Sequence, residues 1–355
     1  MSRTSRSPST PSRKREHVRI ILNRKVTFRG KTTGLERLEF EHNALPELNL
    51  AEIDPSTPFL GRPIAFPLLV SCMTGGYREA LAINRGLAAV CEGARIAMGV
   101  GSQRQALEDR RFHRTFSVVR ETAPSIPVVG NIGAAEVARM QGVGTAQRLV
   151  DLIAADALAI HLNPLQELLQ PEGNPEFRGV LQGIERLVRE LPVPVIVKEV
   201  GAGLSAGVIR RLLEAGVRII DVAGAGGTSW AGVEALRSRD REFASGFWDW
   251  GIPTAAAVRE AAALKSTHPR FTLIASGGIA SGLDIARSIA LGADLAASAR
   301  PVLQALASGG TRGARALIDR WARGVRAAMF LTGSRTIADL RQARLRSYAS
   351  DTGAV

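Results

Sequence analysis

Ala157-Leu158-Ala159-Ile160-His161-Leu162-Asn163-Pro164-Leu165-Gln166-Glu167 is the stretch on which the fold turns. Its first four residues are a short apolar run with the length of a buried strand. The run ends in a histidine, two carboxamides and a carboxylate. In parallel α/β sheets, open or closed, chemistry gathers at the C-terminal ends of strands, because the loops there vary while the strands keep their geometry. A plainer account makes Asn163 the N-cap of a helix with Pro164 at its first position. That cap alone would need neither His161, Gln166 nor Glu167.

Outward from this stretch the same unit recurs: an apolar run, a Gly-rich or polar turn, then an Ala- and Leu-rich helical segment. The runs are Leu68–Ser71, Ile96–Val100, Val128–Gly130, Ala157–Ile160, Val195–Val200, Ile219–Val222, Leu273–Ala275 and Leu295–Ala297. Most successive runs are spaced like βα units, about 20 to 35 residues apart. Eight such units predict an α/β fold, a (β/α)8 TIM barrel. The spacing breaks between the sixth and seventh runs, where Gly224–Pro253 forms a Gly- and Trp-rich insert, a candidate lid at the catalytic face.

The residues that follow each run would then ring one mouth. They include Ser71 to Gly76, Gly101 to Arg104, Gly130 to Gly133, His161 to Glu167, Lys198 to Gly201, Ala223 to Trp230, Ser276 to Ile279 and Ser298 to Arg300. In such barrels the loops after strands seven and eight form the usual phosphate site. Gly277 and Gly278 would let backbone N–H groups approach an anion with no Cβ in the way.

The composition sets bounds. A chain of 355 residues with 45% hydrophobic and 22% charged residues buries a full core and fits one large α/β domain. No apolar run reaches the roughly 18 residues of a membrane span, and the Arg- and Ser-rich N-terminus lacks an apolar signal region, so a cytoplasmic protein without a membrane partner is expected. Cys72 and Cys91 are too few for a disulfide framework and have no zinc-like spacing. The net charge of +13 raises the question of nucleic acid. Ten of the first 31 residues are Lys or Arg against the single acid Glu16, and a second arginine-rich segment runs from Arg300 to Arg346. No zinc-finger spacing, aromatic ribonucleoprotein strand or helix-turn-helix pattern accompanies them, so a small polyanionic ligand is expected and nucleic acid is not.

Residues 1–12 are rich in Ser, Pro and Arg and are expected to be disordered. Residues 13–67 read as an N-terminal arm covering the barrel, 68–345 as the barrel itself and 346–355 as a C-terminal tail.

The strand ends together resemble the FMN-dependent, type 2 isopentenyl-diphosphate isomerases. The resemblance runs from Arg13-Lys14-Arg15-Glu16-His17 and His42-Asn43-Ala44-Leu45-Pro46-Glu47 through Met73-Thr74-Gly75-Gly76 and Val100-Gly101-Ser102-Gln103-Arg104. It continues through His161 to Glu167, Lys198-Glu199-Val200-Gly201 and Ser276-Gly277-Gly278-Ile279 to Ser298-Ala299-Arg300-Pro301, and covers about residues 13–345. It implies FMN contacts from Ser71, Met73, Thr74, Gly75, Ser102, Asn131 and Lys198, and from Thr228, Gly277, Gly278, Ile279, Ser298 and Ala299. Substrate contacts would come from Arg13, Lys14, Ser102, Gln103, Arg104 and Gln166, a magnesium ligand from Glu167, and orientation or proton relay from His161 and Gln166. The implied reaction is a 1,3-allylic proton shift between isopentenyl and dimethylallyl diphosphate. Reduced FMN would serve as acid and base, NADPH as its reductant and Mg2+ as the counter-ion. A homo-oligomer, tetramer or octamer, is expected.

The alternative is another FMN barrel, an α-hydroxy acid oxidase. Such an enzyme would need a histidine in the loop after the sixth strand and an arginine after the seventh-strand glycines. Here those places hold Gly226-Gly227-Thr228-Ser229-Trp230 and Ala280. A purine-pathway dehydrogenase would want a cysteine in the same loop, whereas both cysteines lie far upstream.

Overall fold

The computed structural model describes residues 10–347, and in it the eight runs become the eight strands of a closed parallel barrel. In chain order they are β1 (Leu68–Val70), β2 (Ala97–Gly99), β3 (Val128–Gly133), β4 (Ala157–His161), β5 (Val195–Lys198), β6 (Ile219–Asp221), β7 (Thr272–Ser276) and β8 (Leu295–Ser298). Each pairs with the next, and β8 closes onto β1.

Alternation along the strands sorts the apolar residues into two layers. Leu68, Val70, Met98, Leu158, Ile160, Val195 and Val197 point outward into the large core shared with the surrounding helices. Leu69, Ala97, Val129, Ala157, Ala159, Ile196 and Ile274 point inward and fill the barrel. Four of the inward positions, Ala97, Ala157, Ala159 and Ala297, are alanines, so the interior is narrow. Phe59 and Ile64 join this inner cluster from a hairpin, Thr57–Phe59 paired with Arg62–Ile64, and plug the end of the barrel opposite the catalytic face.

The segment read as a covering arm therefore serves both ends. Its first element, helix α1 (Thr10–Asn23), lies over the mouth; its hairpin closes the floor. The helix begins at Thr10, not after residue 12. Residues 10–12, expected to be disordered, form its first turn, since Thr10 precedes Pro11 in the arrangement that opens helices, and the helix is paid back by burial of His17 and Ile20. Residues 1–9 lie outside the described residues. The boundary at 346 also shifts: Leu345–Ser347 pairs antiparallel with Leu38–Phe40, so Arg346 and Ser347 extend a strand and satisfy its backbone groups. Residues 348–355 are likewise outside the described residues.

The insert after β6 folds into helix α3 (Trp230–Arg237) and a second short helix, Arg241–Gly246. It is strapped to the arm rather than free. The Ser229 N–H donates to Val26 O, Trp248 Nε1 to Thr27 O, and the N–H groups of Arg29 and Gly30 to the two carboxylate oxygens of Asp249. The Arg29 guanidinium also stacks 3.8 Å from the centre of the Trp248 ring. Among the described residues no helix is long and apolar enough to cross a membrane.

Candidate active site

The strand ends surround a cavity of about 470 Å³, a size suited to a cofactor and small ligand. One lateral row of the barrel runs beneath it: Gly133, His161, Lys198 and Asp221 are register partners across β3 to β6, and His161 and Lys198 of that row line the cavity. Lys198 Nζ donates to Glu199 O at 2.5 Å. His161 Nδ1 lies 2.9 Å from Asn131 Oδ1; since an amide oxygen can only accept, Nδ1 carries the proton. Burial, then the charges of Lys198 and Lys14, lower the His161 pKa to about 3. The imidazole is therefore neutral at working pH.

One end of the cavity is cationic. Lys14 reaches down from α1, with Nζ donating to Ser102 O at 2.6 Å and lying 5.6 Å from the centre of the Phe116 ring. Arg13 and Arg104 line the same cavity, and Arg104 pairs with Glu136 at 3.0 Å and Glu108 at 2.9 Å. Lys14 is half-buried, and burial, then the charge of Arg13, bring its pKa down to about 7.

The other end is built from backbone. Gly277 and Gly278 have φ of +101° and +76°, and a Cβ on Gly277 would lie 2.0 Å from Gly224 O. A Cβ on Gly227 would lie 2.4 Å from Gly278 N, so the loops after β6 and β7 touch backbone to backbone. Ser298 Oγ donates to Ile279 O at 2.7 Å and ties in the loop after β8. There helix α4 (Arg300–Leu331) begins, with Ala299 at its N-cap making no side-chain cap and with Ala299, Arg300 and Pro301 lining the cavity. An uncapped N-terminus beside two glycines has the geometry and dipole that suit an anion. Arg300 itself is engaged elsewhere, donating to Ile21 O and Arg24 O and so capping the C-terminal end of α1.

Between the ends, helix α2 (Pro164–Leu169) presents Gln166 and Glu167. Glu167 accepts from Asn163 Nδ2 at 3.0 Å, Gln170 Nε2 at 3.0 Å and the Asn174 N–H at 2.8 Å. Gln166 Nε2 donates to Glu234 Oε1 at 3.3 Å. Glu234, on α3, is fully buried. His17 Nε2 stands 2.9 Å from its Oε1, and Arg237 Nη1 donates to its Oε2 at 2.6 Å. Arg237 reaches on to Glu16 and Glu172, each at 3.0 Å. Burial alone would raise the Glu234 carboxyl; the His17 contact and the Arg237 guanidinium hold it below the usual carboxylate range.

Of the flavin positions expected from sequence, Ser71, Met73, Gly75, Ser102, Asn131 and Lys198 line this cavity, as do Thr228, Gly277, Gly278, Ile279, Ser298 and Ala299. So do Arg13, Lys14, Arg104, Gln166, His161 and Glu167. Thr74 and Gln103 do not. The Thr74 hydroxyl donates to Asn84, and the fully buried Gln103 spans Leu149 O and the Asn131 N–H, each at 2.9 Å. Both side chains brace the loops that carry their neighbours. Sequence reasoning missed Glu234, Arg237 and Glu136; an acid three residues before an arginine on an insert helix carries no local mark of a role at a distant mouth.

Residues 157–347 match the FMN-dependent dehydrogenase family. An isopentenyl-diphosphate delta-isomerase of Chlorobaculum parvum (strain DSM 263 / NCIMB 8327) is 51% identical over 346 residues, covering 94% of this chain and 96% of that protein. One of Cronobacter sakazakii (strain ATCC BAA-894) is 48% identical over 339 residues, with 94% and 96% covered. The chain belongs to the isopentenyl-diphosphate delta-isomerase family. Solved structures of more distant proteins share its fold. A flavocytochrome B2 mutant superposes with a TM-score of 0.68 at 17% identity, over 96% of this chain and 85% of that one. A mandelate oxidase gives 0.64 at 19%, over 95% and 98%. At that identity the likeness is one of barrel, not of chemistry.

The lowered pKa of Lys14 predicts how an isomerase of this family with this arm should respond to pH. As pH rises through about 7 the free site loses the Lys14 proton, and an anion that needs the ammonium must restore it. Inorganic pyrophosphate binding at pH 8, measured by calorimetry in buffers of different ionisation enthalpy, should take up more protons, by up to about one per site, in wild type than in Lys14→Met. Equal uptake by both proteins would contradict this.

Proposed function

We infer that the chain is an isomerase that interconverts isopentenyl and dimethylallyl diphosphate in isoprenoid biosynthesis, with FMN as its cofactor. One observation carries the reading: a single cavity has a backbone-only cradle at the start of α4 at one end and a cluster of cationic side chains beneath α1 at the other. The cradle suits a phosphate that stays, and the cations suit a diphosphate that exchanges. Gly277, Gly278, Ser298 and Ala299 would hold the FMN phosphate, and Lys198 would face negative charge on the ring.

Bound and reduced, FMN supplies an acid and a base beside the substrate without net electron transfer. The residues do the rest. Arg13, Lys14, Ser102 and Arg104 hold the diphosphate, while α1 covers the mouth and excludes water. His161, neutral with Nδ1 given to Asn131, has no proton to spare for an unactivated alkene, so its part is orientation rather than relay. Gln166 does not titrate and is oriented by Glu234 and Asn163.

Magnesium would be shared between Glu167 and the diphosphate. Among the described residues no three His, Cys, Asp or Glu converge on a metal site. That donor set suits a hard cation drawing most of its ligands from substrate oxygens and water. NADPH would serve to reduce the flavin. A tetramer or octamer would cover the exposed Phe243 and Trp250 of the insert, and free Cys72 and Cys91 suit a cytoplasmic setting.

Two experiments test the reading. Under anaerobic conditions, enzyme with FMN reduced by NADPH should convert isopentenyl diphosphate to its allylic isomer, whereas enzyme with oxidised FMN should not; equal turnover by the two would contradict the role given to reduced flavin. Glu167→Gln should raise the magnesium concentration for half-maximal turnover about tenfold or abolish turnover while retaining FMN, and a magnesium titration unchanged from wild type would remove the metal role.

A further inference from the structure

Tyr77 follows the glycine pair after β1. It is 3% exposed and contributes to the wall of the cavity, and its buried hydroxyl meets no hydrogen-bond partner among the described residues. Buried phenol hydroxyls are ordinarily paired, and one left unpaired opposes folding. A phenylalanine would fill the same space without that penalty, so the oxygen asks for an explanation.

The backbone holding this ring is tightly determined. Gly75 and Gly76 have φ of +151° and +82°. A Cβ on Gly75 would lie 2.0 Å from a Phe116 ring carbon, and one on Gly76 would lie 2.6 Å from Gln105 Cβ and 2.9 Å from Lys14 Nζ. The Gly76 N–H donates to Thr115 Oγ1 at 2.9 Å, and Tyr77 O accepts from the Ala80 N–H at 3.1 Å. The same turn thus borders Lys14. Glu79, whose charge acts on Tyr77, contacts Arg15 of α1 at 3.5 Å. The turn that carries Tyr77 therefore borders the cationic end of the cavity, where Arg13, Lys14, Ser102 and Arg104 also line the wall. Burial, then the charge of Glu79, push its phenol far above the ordinary value. The group is a neutral O–H donor at any working pH and adds no repulsion toward an anion.

We propose that the Tyr77 hydroxyl is a further ligand-binding group of this site, donating a hydrogen bond to a phosphate oxygen of a bound ligand. The proposal rests on the preceding reading of the cavity as a site for two phosphorylated ligands. The acceptor is an oxygen of the substrate diphosphate, because the turn that carries Tyr77 borders Lys14 whereas the cradle read for the FMN phosphate lies at the other end of the cavity.

Tyr77→Phe removes one oxygen and keeps the ring. In the FMN-loaded variant, calorimetry should show inorganic pyrophosphate binding weakened by about tenfold or more, as for loss of a donor to a charged acceptor. The Michaelis constant for isopentenyl diphosphate should rise in proportion, with kcat and FMN affinity unchanged and the thermal midpoint of the ligand-free protein no lower than wild type. FMN affinity reduced by the same factor, with pyrophosphate binding intact, would contradict the proposal and place the hydroxyl against the flavin instead. If neither affinity falls, the proposal is overturned. Both affinities are read without turnover, so failure of the isomerase reading, seen as no conversion by reduced wild-type enzyme, is distinguishable from failure of this one.

Discussion

The arrangement of the mouth depends on one buried carboxylate. Glu234 has no access to solvent, and a bare charge there would be costly; it persists because Arg237 neutralises it on one oxygen while His17 and Gln166 meet the other. Those partners come from the arm, the helix after β4 and the insert, three segments far apart in the chain. Removing one partner from such a pair typically costs about 3–5 kcal/mol, a large part of the stability of any domain. The carboxylate thereby turns a basic N-terminal segment, of a composition that would otherwise be solvated, into a wall of the site.

The two anion sites proposed for the cavity would answer two different physical needs. A resident cofactor phosphate is best met by fixed backbone N–H groups and a helix N-terminus, which need no side-chain ordering. An exchanging diphosphate has to be attracted from solution and released, and side-chain cations do this at the cost of competing with their own partners. Arg104 shows that competition, being already paired with Glu136 and Glu108. Lys14 shows another form of it, since the enclosure that makes its ammonium effective also brings its pKa down to about 7.

The barrel was legible in sequence because each strand is a short apolar run buried on both faces, and the polar residues that follow each run mark the catalytic end. His161, Lys198 and Gln166 could be placed at the mouth for that reason. What a motif cannot show is the direction of a side chain. Thr74 and Gln103 lie inside recognisable strand-end motifs yet turn away into the framework, while Ser71 and Asn131 face the cavity. Contacts between segments were also hidden. Arg237 and Glu16 are separated by most of the barrel in sequence, and the hairpin that plugs the floor has a short apolar content, Phe59, Leu60 and Ile64, broken up by prolines. The helix start at Thr10 was obscured by a composition that reads as disorder when its docking surface is not in view.

The claim that the arm is held as part of the site by the Glu234 carboxylate is tested most directly by amide hydrogen exchange of residues 10–23 in wild-type protein and in Glu234→Gln, which keeps the shape but removes the charge. The account predicts at least about tenfold faster exchange along α1 in the variant, with the barrel strands unchanged. Equal protection of α1 in the two proteins would contradict it.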